Sequence, residues 1–155
     1  MPYRQSLKRF TERPWEDYVG AFREAGDQAL MEGVVAGCAM VAYADGWVTE
    51  EERRRMLGLI RGFEPVKAFG VDEVSHEFER LTARFTEDHS TGEEEALTII
   101  SALRGRERQS ELLVQTCCAI ADADGGFDAE ERQAVLRICE TLALDAGAFG
   151  LAEAR

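Results

Sequence analysis

One segment of the sequence occurs twice, and this internal repeat limits the possible folds more than any other feature. Residues 38–63 begin with CAMVAYADGWVTEEERRRML, and residues 117–142 begin with CCAIADADGGFDAEERQAVL. A shift of 79 positions aligns the two 26-residue windows with nine identities, among them Asp45-Gly46 with Asp124-Gly125. Each copy predicts an apolar helix, an Asp-Gly turn and an acidic start to a second helix. The repeat therefore gathers carboxylates at a helix–helix corner twice.

Composition and charge restrict the classes of partner. The chain of 155 residues suits one domain with a proper core, and its formal net charge is −12. This charge argues against nucleic acid and anionic membrane surfaces, which attract clustered Lys and Arg, and favours cations or basic protein surfaces. No run approaches the roughly 18 apolar residues of a membrane span, and the start MPYRQSLKRF lacks the apolar core of a signal peptide. We expect a cytoplasmic protein with no direct insertion into a membrane.

Apolar residues recur with helical period throughout the chain, and no run alternates for long enough to make a strand. The pattern predicts an all-α protein of about seven helices, including the two repeated helix–Asp-Gly–helix hairpins. An aromatic helix is expected to start at Pro14, with Trp15, Tyr18, Val19 and Phe22 on one face. Four of the later helices are expected at residues 28–44, 50–63, 108–123 and 129–143. Two more are expected after a cap at Asp72 and after a capping box at Thr91–Glu94, and a short final turn is expected after a cap at Asp145.

Packing explains several glycine and cysteine positions without any chemical role. Gly33 and Gly37 lie four apart on one face of the helix at 28–44, where small residues let a second helix approach closely. The cysteines lie inside apolar helical patterns without CxxC spacing, as is typical of buried free thiols in a reducing compartment. They are Cys38, Cys117, Cys118 and Cys139. His76 and His89 are expected on the solvated surface, away from both repeats, so catalysis finds little support.

The second corner carries the stronger functional signal. Asp122 and Asp124 fall on the last turn of the incoming helix, where the negative end of the helix dipole makes carboxylates unfavourable without a cation. Asp128 and Glu131 open the next helix, and there a capping interaction explains them without any ligand. The first copy shows the same capping pattern at Thr49–Glu52. The residues alone leave two interpretations open. Either the carboxylates bind a ligand, or they only cap helices and make the protein more soluble.

The corner spacing also partly matches an EF-hand calcium loop. The first loop position should be Asp, but it is Ile120 in the second copy and Val41 in the first, which argues against a standard EF-hand. The remaining hard oxygen donors favour Ca²⁺ over Mg²⁺ or Mn²⁺, and the lack of His and Cys disfavours Zn²⁺. If the copies pair about a pseudo-twofold axis, both corners share one acidic surface. The candidate metal ligands are Asp45, Glu51, Glu52, Asp122, Asp124, Asp128, Glu130 and Glu131.

The sequence contains three segments in this order: MEGVVAGCAMVAYADGWVTEEERRRM, DADGGFDAEERQAV and LALDAGAFGL. Together these segments resemble the tellurite-resistance protein TerB family. The resemblance covers residues 25–151 as a helical domain and leaves residues 1–24 outside it. It implies overlapping four-helix bundles with an acidic, metal-binding surface and no enzymatic activity. It also implies work in a tellurite and chemical-stress response with other Ter-system proteins, including a membrane-embedded component. Such a partner would allow peripheral association with the inner membrane.

Three functional hypotheses follow from these observations. The first is a divalent-cation-binding interaction module, based on the duplicated acidic corners and the resemblance. The second is a metal-independent adaptor whose acidic face docks on basic partner surfaces. The third is a thiol-dependent, tellurite-handling enzyme, against which the apolar surroundings of the cysteines argue.

Overall fold

Six α-helices make up most of the chain in a computed structural model, which describes residues 28–46, 48–62, 70–123 and 128–150. No strand occurs within these ranges, so the prediction of an all-α protein is confirmed. The helices are α1 Gln28–Ala42, α2 Glu50–Gly62, α3 Val71–Glu87, α4 His89–Ser101, α5 Glu107–Ala123 and α6 Ala129–Leu142, followed by a short 3-10 helix at Ala146–Phe149.

Helix α1 is the centre of the fold, because it packs against each of the other five helices. Every residue from Gly33 to Val41 is buried, as expected for a helix that is apolar on nearly all sides. The packing forms two overlapping four-helix groups that share α1 and α4: α2 and α3 complete the first group, and α5 and α6 complete the second. Helix α2 of the first repeat therefore belongs to one group and α5 and α6 of the second repeat belong to the other, while α1 of the first repeat is shared and packs directly on α5 and α6.

Two glycines set the distance between α1 and α5. A Cβ atom built on Gly33 would lie 2.8 Å from Cδ1 of Leu113, and one on Gly37 would lie 2.5 Å from Sγ of Cys117. Both separations are shorter than an ordinary van der Waals contact, so a larger residue at either position would force the facing side chains or the helices to shift. The predicted close packing at Gly33 and Gly37 is confirmed.

The predicted starts of α3 and α4 were wrong. Gly70, with φ of 93°, precedes α3, and Asp72 lies inside its first turn rather than at its cap. Helix α4 begins at His89, and its cap is Asp88, whose carboxylate accepts from the backbone N of Thr91 at 3.3 Å and from its hydroxyl at 2.6 Å. Asp88 also ends α3, so one extended residue joins the two helices. Thr91 therefore lies inside the first turn of α4, and the capping box predicted there does not start the helix.

The remaining boundaries agree closely with the sequence pattern. Asp145 caps the final 3-10 helix by accepting from the backbone N of Gly147 at 3.0 Å, as predicted. The aromatic helix expected from Pro14, and the boundary expected between residues 24 and 25, lie outside the described residues. None of the described helices is both long and apolar enough to cross a membrane.

Candidate functional site at the repeat corners

The first corner is a tight turn followed by a capped helix. The chain leaves α1 through a turn at residues 43–46, where Gly46 adopts a φ of 108° and donates its backbone N–H to the carbonyl of Tyr43 at 3.0 Å. Thr49 then caps α2: the backbone N–H of Glu52 donates to Oγ1 of Thr49 at 3.0 Å, and the backbone N–H of Thr49 donates to Oε1 of Glu52 at 2.9 Å. This reciprocal pair is the predicted capping box.

The second corner repeats the cap with an aspartate. Asp128 accepts from the backbone N–H of Glu131 at 2.7 Å, and its own N–H donates to Oε1 of Glu131 at 3.0 Å. Asp122 is exposed on the last turn of α5, as predicted. Asp124 and the rest of the turn at residues 124–127 lie outside the described residues. Both helices that leave a corner are thus fixed by the same hydrogen-bond pattern.

The cap at the first corner also lowers the pKa of Glu52. Hydrogen bonds from the backbone N–H and the hydroxyl of Thr49 lower the pKa of Glu52, and the nearby positive charge of Arg55 lowers it further. Glu52 is therefore a stable anion at neutral pH. The cap uses Oε1 of Glu52 and Oε1 of Glu131, so each carboxylate has a fixed orientation at the corner.

The two corners meet in one small pocket of about 170 Å³. It is lined by carboxylates from both repeats, by one cation and by apolar residues that are buried or half-buried. The carboxylates are those of Asp45, Glu52, Asp128 and Glu131, and the cation is Arg55. The apolar residues are Val41, Ala42, Ala44, Val48 and Met56. We call this the corner pocket. The fold thus joins the corners in one acidic surface, which is what a pairing of the repeats predicts.

Three of the candidate ligands do not line the corner pocket. Glu51 and Asp122 are exposed on α2 and α5. Glu130 lines a neighbouring pocket of about 380 Å³, which also contacts Ala44 and extends to Met40 and His89. Two adjacent residues of α6 therefore line different pockets: Glu130 lines the neighbouring pocket, and Glu131 lines the corner pocket.

His89 was wrongly predicted to be a solvated residue away from the repeats. It is half-buried, and its Nε2 lies 3.0 Å from the backbone carbonyl of Tyr43, to which it can only donate. Its ring meets Phe85 edge-on at 5.4 Å, and Phe85 stacks on Tyr43 at 5.0 Å. The single-residue link between α3 and α4 places His89 over the end of α1. Phe85 lies on α3 and His89 on α4, so no periodicity within one helix relates the two residues. His76 is exposed, as predicted.

The corner pocket offers the right donor chemistry for a hard cation without a preformed coordination shell among the described residues. Its charged acceptors are all carboxylate oxygens, the ligands that Ca²⁺ prefers. Within the described ranges, no three His, Cys, Asp or Glu side chains are grouped closely enough to hold a metal ion. Asp124, the remaining candidate ligand on the turn of the second repeat, is outside those ranges.

The four thiols are buried in the core, as predicted. Burial raises the pKa of Cys139 to about 12 and raises that of Cys118, while a hydrogen bond with Cys38 together with burial raises the pKa of Cys117. The thiolate is the reactive form of cysteine, and the raised pKa keeps Cys117, Cys118 and Cys139 in the less reactive thiol form at neutral pH.

A wide groove between α2 and α3 contains three arginines, but their charges are already neutralised. Arg53 binds Glu79 at 2.5 Å, Arg80 binds Glu95 at 2.5 Å, and Arg84 binds Glu95 at 2.9 Å. Each guanidinium therefore has an internal carboxylate partner in a network that links α2, α3 and α4. This groove is not an open site for an oxyanion.

Comparison with known proteins matches the chain to one protein family. The family model described as tellurite resistance protein TerB matches residues 31–154. A tellurium resistance protein TerB from an Alcaligenes species is 33% identical over 89 residues, which cover 57% of this chain and 73% of that relative. No solved structure matches the chain. The family match covers both repeats and the described helices from Met31 of α1 onwards, and the chain belongs to the TerB family.

Proposed function

We propose that this protein is a non-enzymatic module of a tellurite-resistance response that binds a divalent cation, Ca²⁺ before Mg²⁺ or Mn²⁺, at the corner pocket. One observation supports the proposal most strongly: Asp45 and Glu52 of the first repeat line the same small pocket as Asp128 and Glu131 of the second. The tellurite-resistance context comes from the TerB family and from the name of the Alcaligenes relative.

The placement of the carboxylates favours a cation. Asp45 follows the end of α1, where helix carbonyls leave partial negative charge, so its carboxylate adds to an unfavourable local potential. Glu52 and Glu131 are held at the pocket by their caps. Asp45, Glu52, Asp128 and Glu131 would bind the ion, and Asp124 is the expected fifth ligand. The bound ion would neutralise this charge and connect the two repeats.

We propose that this ion-mediated connection between the two repeats controls the binding of other proteins. With a net charge of −12, the protein suits partners with basic surfaces and does not suit nucleic acid. We propose that it works in the cytoplasm with other Ter-system proteins, including a membrane-embedded component that would bring it to the inner membrane. Ion binding at the corners would change the charge of this face and thereby the strength of partner binding.

A metal-independent adaptor is the second candidate, and one feature of the corner pocket favours it. The pocket combines carboxylates with apolar surface from Val41 and Met56 and already contains a guanidinium, that of Arg55. The aliphatic stem and cationic head of a partner's Lys or Arg suit the same combination. If partner binding persists after all divalent ions are chelated but weakens as the salt concentration rises, the result favours the adaptor over the cation-dependent module.

Thermal unfolding of metal-stripped protein tests the proposal. An ion present at a hundred times its Kd stabilises the fold by about 2.7 kcal/mol. For a domain of this size this is a rise in Tm of about 5 to 10 °C. We expect this rise with millimolar Ca²⁺, a smaller one with Mg²⁺ or Mn²⁺, and little with Zn²⁺.

Two variants test whether the rise in Tm with Ca²⁺ comes from the corner pocket. The double variant Asp124→Asn/Glu131→Gln should lose the rise in Tm with Ca²⁺, measured against its own metal-stripped baseline. Glu51→Gln removes one carboxylate that is exposed outside the corner pocket, and it should keep the rise. An unchanged Tm with every ion would overturn the proposal, and an equal loss in Glu51→Gln would show a general charge effect instead.

A further inference from the structure

The neighbouring pocket lies between α4 and α6, over the end of α1. Its volume of about 380 Å³ falls within the usual range for binding sites. Residues of one helix face line each side of it: His89 and Glu93 on α4, and Glu130, Gln133, Ala134 and Arg137 on α6. Met40 and Phe85, each 3% exposed, form an apolar floor together with Ala134.

One ion pair in the neighbouring pocket is already complete. Arg137 of α6 pairs with Glu93 of α4, so its positive charge has an internal partner. Glu130 is two helical turns before Arg137, about 10 Å along α6, and is exposed. In the part of the chain that the structure describes, the side chains of Glu130 and Gln133 have no hydrogen bond or ion pair. With His89 neutral, the pocket has one excess negative charge, and that charge lies at Glu130.

His89 adds a neutral acceptor from the side of α4. Its Nε2 donates to the backbone carbonyl of Tyr43 at 3.0 Å, and the edge-on contact with Phe85 at 5.4 Å also holds the ring. In a neutral imidazole the other nitrogen is then an acceptor, so Nδ1 of His89 can accept a hydrogen bond. The open polar groups of the pocket are therefore mostly acceptors, and they lie above an apolar floor.

We propose that the neighbouring pocket is a docking site for an arginine side chain of a partner protein. The aliphatic stem would pack on Met40 and Phe85, while the guanidinium would donate to Glu130. Its remaining N–H groups suit Nδ1 of His89 and the amide oxygen of Gln133, because arginine has five donors and no acceptor.

The surroundings of the neighbouring pocket favour a protein partner over a free small molecule. Glu130, Gln133 and Arg137 are exposed around the buried floor, and an apolar centre within a polar rim is the usual arrangement of a protein interface. The inference rests on the part of the proposed function that gives the protein partners with basic surfaces. It does not require an ion at the corner pocket.

Methionine-methyl NMR of metal-stripped protein, in the presence of a chelator, tests the inference with the peptide acetyl-Gly-Arg-Gly-amide as the probe. Met40 lines the neighbouring pocket and Met56 lines the corner pocket, so the two methyl signals report on the two pockets separately. We expect the Met40 signal to shift saturably while the Met56 signal stays in place. The same peptide with citrulline, which has nearly the same shape but no charge, should bind about 10-fold more weakly.

Two pairs of variants test the roles of the carboxylates. Glu130→Gln should weaken peptide binding about 10-fold, whereas Glu140→Gln, exposed on the same helix outside both pockets, should leave it unchanged. Arg137→Gln releases Glu93 from its ion pair and should tighten binding about 2- to 5-fold, a gain that misfolding cannot produce. Arg104→Gln makes the same change in net charge away from the pocket and should have no effect.

Several results would overturn the inference. These are an unshifted Met40 signal, a shift of Met56 alone, equal binding of the citrulline peptide, and equal effects of Glu130→Gln and Glu140→Gln. Tighter binding of free agmatine than of the peptide would show a site for a small molecule and would also overturn the docking proposal. None of these results changes the expected rise in Tm with Ca²⁺, so the proposed ion binding stands or fails separately.

Discussion

Replacing Gly92 with alanine is expected to lower the free energy of unfolding by about 3 kcal/mol, the upper end of the usual cost of overpacking a core. Gly92 is buried in α4, where α4 crosses the end of α3. A Cβ atom there would lie 2.6 Å from Cγ, 2.7 Å from Cα and 2.8 Å from the backbone N of Phe85. Because two of these atoms belong to the backbone, no rotamer change relieves the clash, and α3 and α4 must separate.

The matched control is Gly58→Ala on α2. Gly58 is exposed, and an added Cβ atom would meet nothing within 4 Å. Alanine is the better helix former, so this variant should gain about 0.5 to 1 kcal/mol. Urea denaturation of the two variants, at one Ca²⁺ concentration or in its absence, measures the difference. Equal stability of Gly92→Ala and wild type would mean that α3 and α4 are not packed as described.

Replacing Gly37 with alanine is expected to cost about 2 kcal/mol, again through overpacking. The new Cβ atom would lie 2.5 Å from Sγ of Cys117, 3.4 Å from Cδ2 of Leu113 and 3.5 Å from Cδ1 of Ile138. Cys117 is buried, with 1% of its surface exposed, so the sulfur has no open space to move into. Helix α1 must therefore shift away from α5, which carries the second repeat.

A second substitution can relieve this particular clash. Cys117→Ala removes the sulfur that the new Cβ atom would meet, so the double variant Gly37→Ala/Cys117→Ala should be more stable than the sum of the single effects predicts. We expect a favourable coupling of about 1 kcal/mol in urea denaturation. Strictly additive effects would show that the sulfur of Cys117 does not limit the approach of α1 to α5.

The sequence was most informative where structure is local. Both capping patterns at the corners, the close packing at Gly37 and the cap at Asp145 depend on residues within a few positions or on one helix face, and the structure confirms each of them. The predicted start of α4 at Thr91 was wrong, because Asp88, which the pattern did not single out, caps the helix instead. Only the one-residue link between α3 and α4 decides which of them the chain uses.

Tertiary placement was harder to predict. The repeat indicated that the two corners could meet, but it did not indicate that Arg55 would join Glu52 and Glu131 in the same pocket. His89 was missed because its partner, the carbonyl of Tyr43, is 46 residues earlier in the chain. Helical periodicity relates residues within one helix, and it does not predict a contact between residues 46 positions apart. The same limit applies to Glu130, which lies in sequence beside Glu131 but lines a different pocket.

The stoichiometry of Ca²⁺ binding is the most direct test of the central claim that the two repeat corners form one cation site. Calorimetric titration of metal-stripped protein should give one ion per chain. Glu52→Gln and Glu131→Gln, one variant from each repeat, should each weaken that single site. Two ions per chain, with each variant losing only one of them, would show that the corners act separately. No binding would leave the carboxylates as helix caps and a docking surface for basic partners.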